Sequence, residues 1–261
     1  MLVAFQITER NFLQTEKITL FNQYQTKGNT TVPMQNIYLL IPVYNEAKYL
    51  KQFIDKLAIE SEKNNEIEKI VFINDGSKDS TRVIVEEFMS ANPKVELLNH
   101  KNNQGKGAAM KTGLEYARKL KADAVIFMDG DCQHDPKYLK NFIISLTHSP
   151  IVFGYRELPK GTPWWRKYGN QVAGFIIKLG FKITKKDLLC GYMALRKDSF
   201  SEVYWNEKGY GVETEIAVVV GKKNLPFTEN FIDTVYLDPT KGVNLFHAFL
   251  ILLKIPIWYF R

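Results

Sequence analysis

Cysteine is scarce: Cys132 and Cys190 are the only two among 261 residues. Two thiols build neither a disulfide framework nor a cysteine-rich metal cluster, and a reducing cytoplasm is the compartment to expect. A signal peptide is not expected, because the apolar start Met1–Phe5 meets Gln6, Glu9 and Arg10 before an apolar region of the required length develops. A full membrane crossing is not expected either. The longest apolar stretch, 243–260, is interrupted by Lys254 and Pro256, which suits a helix lying in the membrane interface, or one packed on the domain or on a partner subunit. Low-complexity tracts are absent, and 45% hydrophobic with 24% charged residues allow a sizeable core. No basic helix or aromatic RNA-binding motif accompanies the net charge of +7, so nucleic acid is not expected. The charge favours a phosphorylated substrate or an acidic membrane face.

What is present is an alternation of strands and helices. Residues 1–33 read as a flexible extension, 34–240 as the main domain and 241–261 as an apolar C-terminal segment. Apolar runs at 37–41, 68–73, 95–98 and 124–128 read as strands. Between them, Leu50, Phe53, Ile54 and Leu57 recur at helical spacing, and helices are also expected over 79–90 and 106–121. Further on, strands are expected at 151–155, around Ala194-Leu195 and over 231–237, with helices at 164–181 and 213–220. Such alternation implies crossover units and a mostly parallel sheet flanked by helices. Ligands of such sheets bind beyond the carboxyl ends of the strands.

Three polar clusters fall just after expected strands: Tyr44-Asn45-Glu46, Asp75-Gly76-Ser77 and Asp129-Gly130-Asp131. The paired carboxylates Asp129 and Asp131 suit a hard divalent ion shared with substrate phosphates, and Gln133 and His134 follow closely enough to complete its shell. Asp75 accepts hydrogen bonds only, which suits the N–H groups of uracil or guanine; Ser77 and Asp79 suit a helix cap equally well. Gly105-Lys106-Gly107 opens a helix, where free N–H groups and Lys106 would attract phosphate, although the spacing excludes a P-loop.

Together these segments resemble family 2 glycosyltransferases of the GT-A, Rossmann-like fold. The resemblance rests on Ile41-Pro42-Val43-Tyr44-Asn45-Glu46, Asn74-Asp75-Gly76-Ser77-Lys78-Asp79, Gly105-Lys106-Gly107 and Met128-Asp129-Gly130-Asp131-Cys132-Gln133-His134-Asp135-Pro136. The last stretch is most similar to dolichyl- or polyprenyl-phosphate mannose and glucose synthases. Gly154-Tyr155-Arg156, Trp165-Arg166-Lys167 and Asp187-Leu188-Leu189-Cys190-Gly191-Tyr192 extend the likeness.

The resemblance implies a metal-dependent hexosyltransferase that takes a UDP- or GDP-sugar and inverts its anomeric centre, with a polyprenyl phosphate as acceptor. It implies that Pro42, Tyr44, Glu46 and Asp75 hold the nucleoside and that Asp129 lies near ribose and diphosphate. Asp129, Asp131 and Gln133 would ligate Mg2+ or Mn2+. Arg156 and Arg166 would face phosphates, with Lys241 on a loop nearby. The protein would sit peripherally on the cytoplasmic face of the membrane, with a membrane partner subunit as a further possibility. Relatives commonly carry a basic residue where this chain has Met193, which removes one phosphate contact. No QxxRW signature occurs, which excludes a polymerising synthase. Two rival readings stay open. One is a transferase to a glycan or sugar hydroxyl with Asp187 as base; the other is a non-catalytic nucleotide-sugar-binding module.

Overall fold

The computed structural model describes residues 32–157, 185–233, 254, 257 and 258. Chain contacts separate Met1–Val32 from a unit spanning Pro33–Arg261, to which all the elements below belong. Strands β1 (Ile37–Val43), β2 (Ile67–Asn74), β3 (Val95–Asn99) and β4 (Ala124–Phe127) alternate with helices α1 (Ala47–Glu62), α2 (Thr81–Ala91) and α3 (Lys106–Lys119). A 3-10 turn, Pro136–Tyr138, leads into α4 (Leu139–Leu146). Then come β5 (Ile151–Tyr155), β6 (Met193–Arg196), α5 (Val212–Lys222) and β7 (Thr228–Phe231).

Among the described residues, seven strands form one sheet in the order β3-β2-β1-β4-β6-β5-β7. The pairs β1–β2, β2–β3, β1–β4 and β5–β7 run parallel, and β6 runs antiparallel to both β4 and β5. The sheet is therefore mostly parallel, as the alternation predicted.

Both faces of the sheet are covered, which is why the strands read as continuous apolar runs. Ile37, Leu39 and Ile41 pack with Phe53 of α1, Val85 of α2 and Phe142 of α4. Tyr38 and Leu40 point the other way, toward Met110 and Leu114 of α3 and Ile216 of α5.

Several boundaries depart from expectation by a residue or two, and three have a visible cause. Strand β1 continues through Pro42, because Leu40 turns its carbonyl to Met128 and residue 42 faces that same side. Strand β4 stops at Phe127, so the N–H that proline lacks has no ladder partner there. Helix α2 begins at Thr81 rather than 79, because Asp79 accepts the Thr81 N–H at 2.9 Å and the Ala47 N–H at 3.1 Å, so its carboxylate serves two helix starts. Strand β7 ends at Phe231, where the expected strand begins, and 234–237 of that expectation lie outside the described residues. Its polar residues are recruited by pairing with β5, from Val152 opposite Thr228 to Tyr155 opposite Phe231.

The expected helix at 164–181 lies outside the described residues. Of the C-terminal segment, Trp258 is buried against the core and Lys254 pairs with Glu207 at 2.6 Å. Both contacts are to the domain itself. Among the described residues no helix is long and apolar enough to cross a membrane.

Candidate active site

Strands β1 to β4 run in one direction, so their carboxyl ends and the loops that follow share one sheet edge. The first two loops bond to each other. The Asp75 N–H donates to the Val43 carbonyl at 2.9 Å, the Asn45 N–H to Ser77 Oγ at 3.0 Å and the Lys78 N–H to Asn45 Oδ1 at 2.8 Å. Gly76 has φ +72°, and a Cβ there would lie 2.5 Å from the Asn102 backbone, so only glycine lets the loop after β3 come this close. Pro42 and Glu46 lie half-buried on this rim, and Tyr44 is exposed. The Glu46 N–H donates to Thr81 Oγ1 at 2.7 Å.

Asp75 is buried, and its carboxylate is already in use. It accepts the Gln104 N–H at 2.9 Å, the Gly105 N–H at 2.8 Å and His100 Nδ1 at 2.7 Å. His100 Nε2 in turn lies 3.0 Å from Thr112 Oγ1. A carboxylate has about four acceptor positions, so these three contacts leave roughly one. His100 reads in sequence as a plain loop residue. Nothing local signals that it braces Asp75 from 25 positions away.

The Gly105–Gly107 turn differs from its phosphate-binding expectation. The N–H groups of Gly107 and Ala108 donate to the Lys208 carbonyl, at 2.7 and 3.3 Å. A Cβ on Gly105 would lie 2.3 Å from that oxygen, and one on Gly107 2.1 Å from the Glu207 carbonyl. The two glycines therefore admit a protein strand of the 205–209 loop, and these helix N–H groups are spent on it. Trp205 fastens the same loop by donating Nε1–H to the Gly107 carbonyl at 2.9 Å.

Lys106 turns instead to two carboxylates. Its Nζ lies 2.6 Å from Asp129 Oδ1 and 2.6 Å from Glu213 Oε1. Burial opposes the lysine's charge, but the two acids outweigh it and raise its pKa well above the ordinary value. Burial likewise pushes Asp129 up, but Lys106 holds its carboxyl below the usual range. Glu213 is the second residue of α5, and it and Glu215 are both buried. In sequence the two acids read as the start of a helix, which they are; only the fold shows that they are buried.

After β4, Gly130 packs on the core: a Cβ there would meet Val43 Cγ1 at 2.6 Å. Asp131 Oδ1 accepts the Gln133 N–H at 3.0 Å, and the chain then turns through Cys132 at φ 66°. His134 is buried and accepts the Asp129 N–H on Nδ1 at 3.2 Å. Burial pushes its imidazole down to about 4, which agrees with an acceptor nitrogen and a neutral ring. Among the described residues no three His, Cys, Asp or Glu side chains gather closely enough to hold a metal by themselves. Asp129, Asp131 and Gln133 still offer hard oxygens of the kind that divalent cations share with substrate phosphates.

Arg156 follows β5 and grips Asp187, with Nε at 2.6 Å from Oδ2 and Nη2 at 3.2 Å from Oδ1. The Leu189 N–H adds a bond to Oδ1 at 3.1 Å. Burial pushes the Asp187 carboxyl up, but Arg156 outweighs this and keeps it below its ordinary value. Met193 is buried on β6, pairing with Phe127 and Phe153, and offers nothing to a phosphate. Arg166, Lys167 and Lys241 lie outside the described residues.

Comparison with known proteins agrees with this geometry. Residues 38–204 match the profile of Glycosyl transferase family 2. A UDP-N-acetylglucosamine–dolichyl-phosphate N-acetylglucosaminyltransferase from Methanococcus voltae is 29% identical, over 84% of this chain and 94% of that one. A dolichyl-phosphate beta-glucosyltransferase from Trichomonas vaginalis is 28% identical, over 86% and 76%. In fold, the chain is similar to glucosyl-3-phosphoglycerate synthase from Mycobacterium tuberculosis, solved with Mn2+, UDP and phosphoglyceric acid. That likeness has a TM-score of 0.66 at 14% identity, covering 86% of this chain and 78% of that one. A parallel sheet with acids at its carboxyl edge, matched along most of its length by one family profile, makes this chain a glycosyltransferase belonging to Glycosyl transferase family 2.

Proposed function

We propose that the protein moves a hexose from a UDP- or GDP-sugar to a polyprenyl or dolichyl phosphate, inverting the anomeric centre. One observation carries the choice of acceptor. Asp187, the carboxylate that a hydroxyl acceptor would need as base, is held by Arg156 through two contacts and kept below its ordinary pKa. A base so paired and so acidic is poorly matched to removing a proton near neutral pH. A phosphate acceptor needs no such base, since it is already an anion. Its oxygen attacks the anomeric carbon, the bond from that carbon to the diphosphate breaks, and no proton has to move. The two relatives described above carry dolichyl phosphate in their names, which supports the same reading.

The chain's own groups bind and orient. Asp75, braced by His100, offers an acceptor to the nucleobase beside Tyr44, Pro42 and Glu46. Asp131 and Gln133, with Asp129, are the residues that would hold Mg2+ or Mn2+. Bound there, such an ion would supply positive charge against the leaving diphosphate. Arg156 and Arg166 place the acceptor phosphate by charge. A lipid-linked acceptor requires the protein to work at a membrane surface, and we place it peripherally on the cytoplasmic face.

The test is direct. The full chain is incubated with UDP- or GDP-hexoses, Mn2+ or Mg2+ and a polyprenyl phosphate, and the lipid is read by mass spectrometry. A hexosyl-phosphoryl polyprenol that disappears with EDTA is expected. Transfer to a free sugar hydroxyl with none to the lipid would defeat the proposal.

A further inference from the structure

We infer that Lys106 and Glu213 are positioning residues that make cation binding at Asp129 conditional on a nucleoside diphosphate. The inference rests on the donor site proposed above.

Three segments meet at one ammonium. Lys106 opens α3, Asp129 follows β4 and Glu213 lies in the first turn of α5. The side chains of Lys106, Asp129 and Glu213 are 17%, 23% and 4% exposed, and both contacts of the ammonium measure 2.6 Å. Charges this sheltered are screened far less than surface ones.

The lysine cannot swing away with its backbone. The N–H of Gly105, before it, is held by Asp75, and the N–H of Gly107, after it, by the Lys208 carbonyl. Gly191 closes the remaining side. A Cβ there would lie 2.6 Å from both Lys106 Nζ and Asp129 Oδ2.

The consequence is electrostatic. One of the two acids flanking Gly130 already has an internal cation as partner. A bare divalent ion must therefore compete with Lys106 for Asp129, and it finds no cluster of three acids to compensate among the described residues. A cation arriving with a diphosphate brings its own anionic oxygens. The ammonium then has a second anion to face, so its positive charge no longer opposes the ion. Glu213 keeps the ammonium in place between these states. The site is thus built to take the metal and the nucleotide together, and to refuse the metal alone.

The experiment uses Mn2+ as probe and the full chain, with free Mn2+ read by electron paramagnetic resonance. Titrations are run without nucleotide and with UDP or GDP. The natural protein is expected to bind Mn2+ about tenfold or more tightly with the diphosphate present, in the range usual for coupled sites. Lys106→Met is expected to bind Mn2+ alone about tenfold more tightly than the natural protein, with most of the nucleotide dependence gone. Its Tm should rise on adding Mn2+ alone. Glu213→Gln, which leaves the ammonium to Asp129, should show no such gain.

If Lys106→Met does not fold, Lys106→Met/Glu213→Gln removes the cation and one buried acid together and gives the same readout. Unchanged or weaker nucleotide-free Mn2+ binding in the folded Lys106 variant would overturn the inference. A natural protein that binds no Mn2+ even with UDP and GDP would instead overturn the donor-site reading beneath it.

Discussion

Arg156 and Asp187 form a two-point ion pair, Nε to Oδ2 at 2.6 Å and Nη2 to Oδ1 at 3.2 Å, across 31 residues of sequence. The pairing converts a candidate base into an anchor for a cation. Asp187→Asn should therefore lower kcat by no more than about tenfold, whereas loss of a general base costs about a hundredfold or more. Steady-state transfer to polyprenyl phosphate across pH 5.5 to 8.5 decides this. A thousandfold loss of kcat would return Asp187 to the role of base.

The same pair has a structural side. Removing one partner of a sheltered ion pair strands the other charge, which costs on the order of 3 kcal/mol. Arg156→Ala is expected to unfold at lower urea concentration than the natural protein. Arg156→Lys, which keeps the charge but loses the fork, should fall between the two.

Gly191 touches the Lys106–Asp129 contact so closely that one methyl group matters. In Gly191→Ala the added Cβ would come within 2.6 Å of both charged atoms and must push them apart. Misplacement of site groups by about an ångström costs roughly a hundredfold in rate. Circular dichroism should show an intact fold while kcat/KM drops by about that factor.

Gly107 lies within α3, where alanine ordinarily stabilises a helix by about 1 kcal/mol. Here the sign should reverse, because the new Cβ would sit 2.1 Å from the Glu207 carbonyl oxygen. Gly107→Ala is expected to lose about 1–3 kcal/mol by overpacking. Urea denaturation checks the sign; a stabilised variant would mean that the 205–209 loop is free to withdraw.

His134 adds a pH dependence. Burial lowers its folded pKa to about 4 from an ordinary 6.5, so between those values the unfolded chain binds more protons than the folded one. Stability from this group is complete above about pH 6.5 and drains away as pH falls toward 4. The span corresponds to on the order of 3 kcal/mol. In His134→Gln, whose amide oxygen can still accept the Asp129 N–H, the fall in unfolding free energy between pH 7 and 4.5 should be clearly smaller. Equal slopes would refute the assignment.

Much of the fold was legible because its signals are local. The apolar runs of β1, β2 and β4 and the helical spacing of Leu50, Phe53 and Leu57 depend on near neighbours. Strand β7 was not read from Thr228 because Thr228 to Phe231 carries no apolar pattern and becomes a strand only by pairing with β5. The acids at strand ends were legible for a similar reason, since a parallel sheet delivers every such loop to one edge. The partners of those acids were not. That Lys106 meets Glu213, 107 positions further along the chain, has no local signal. His100 gave no sign of bracing Asp75.

The residue order alone determined the strand–helix alternation, and through it the edge at which Asp75, Asp129 and Asp131 collect, because hydrophobic period and turn chemistry act over a few residues. Only the tertiary structure decided which charge each acid meets. Lys106 between Asp129 and Glu213, and Arg156 on Asp187, are contacts between distant segments. Their energies depend on separation in space and shelter from water, neither of which is written in the spacing of residues along the chain.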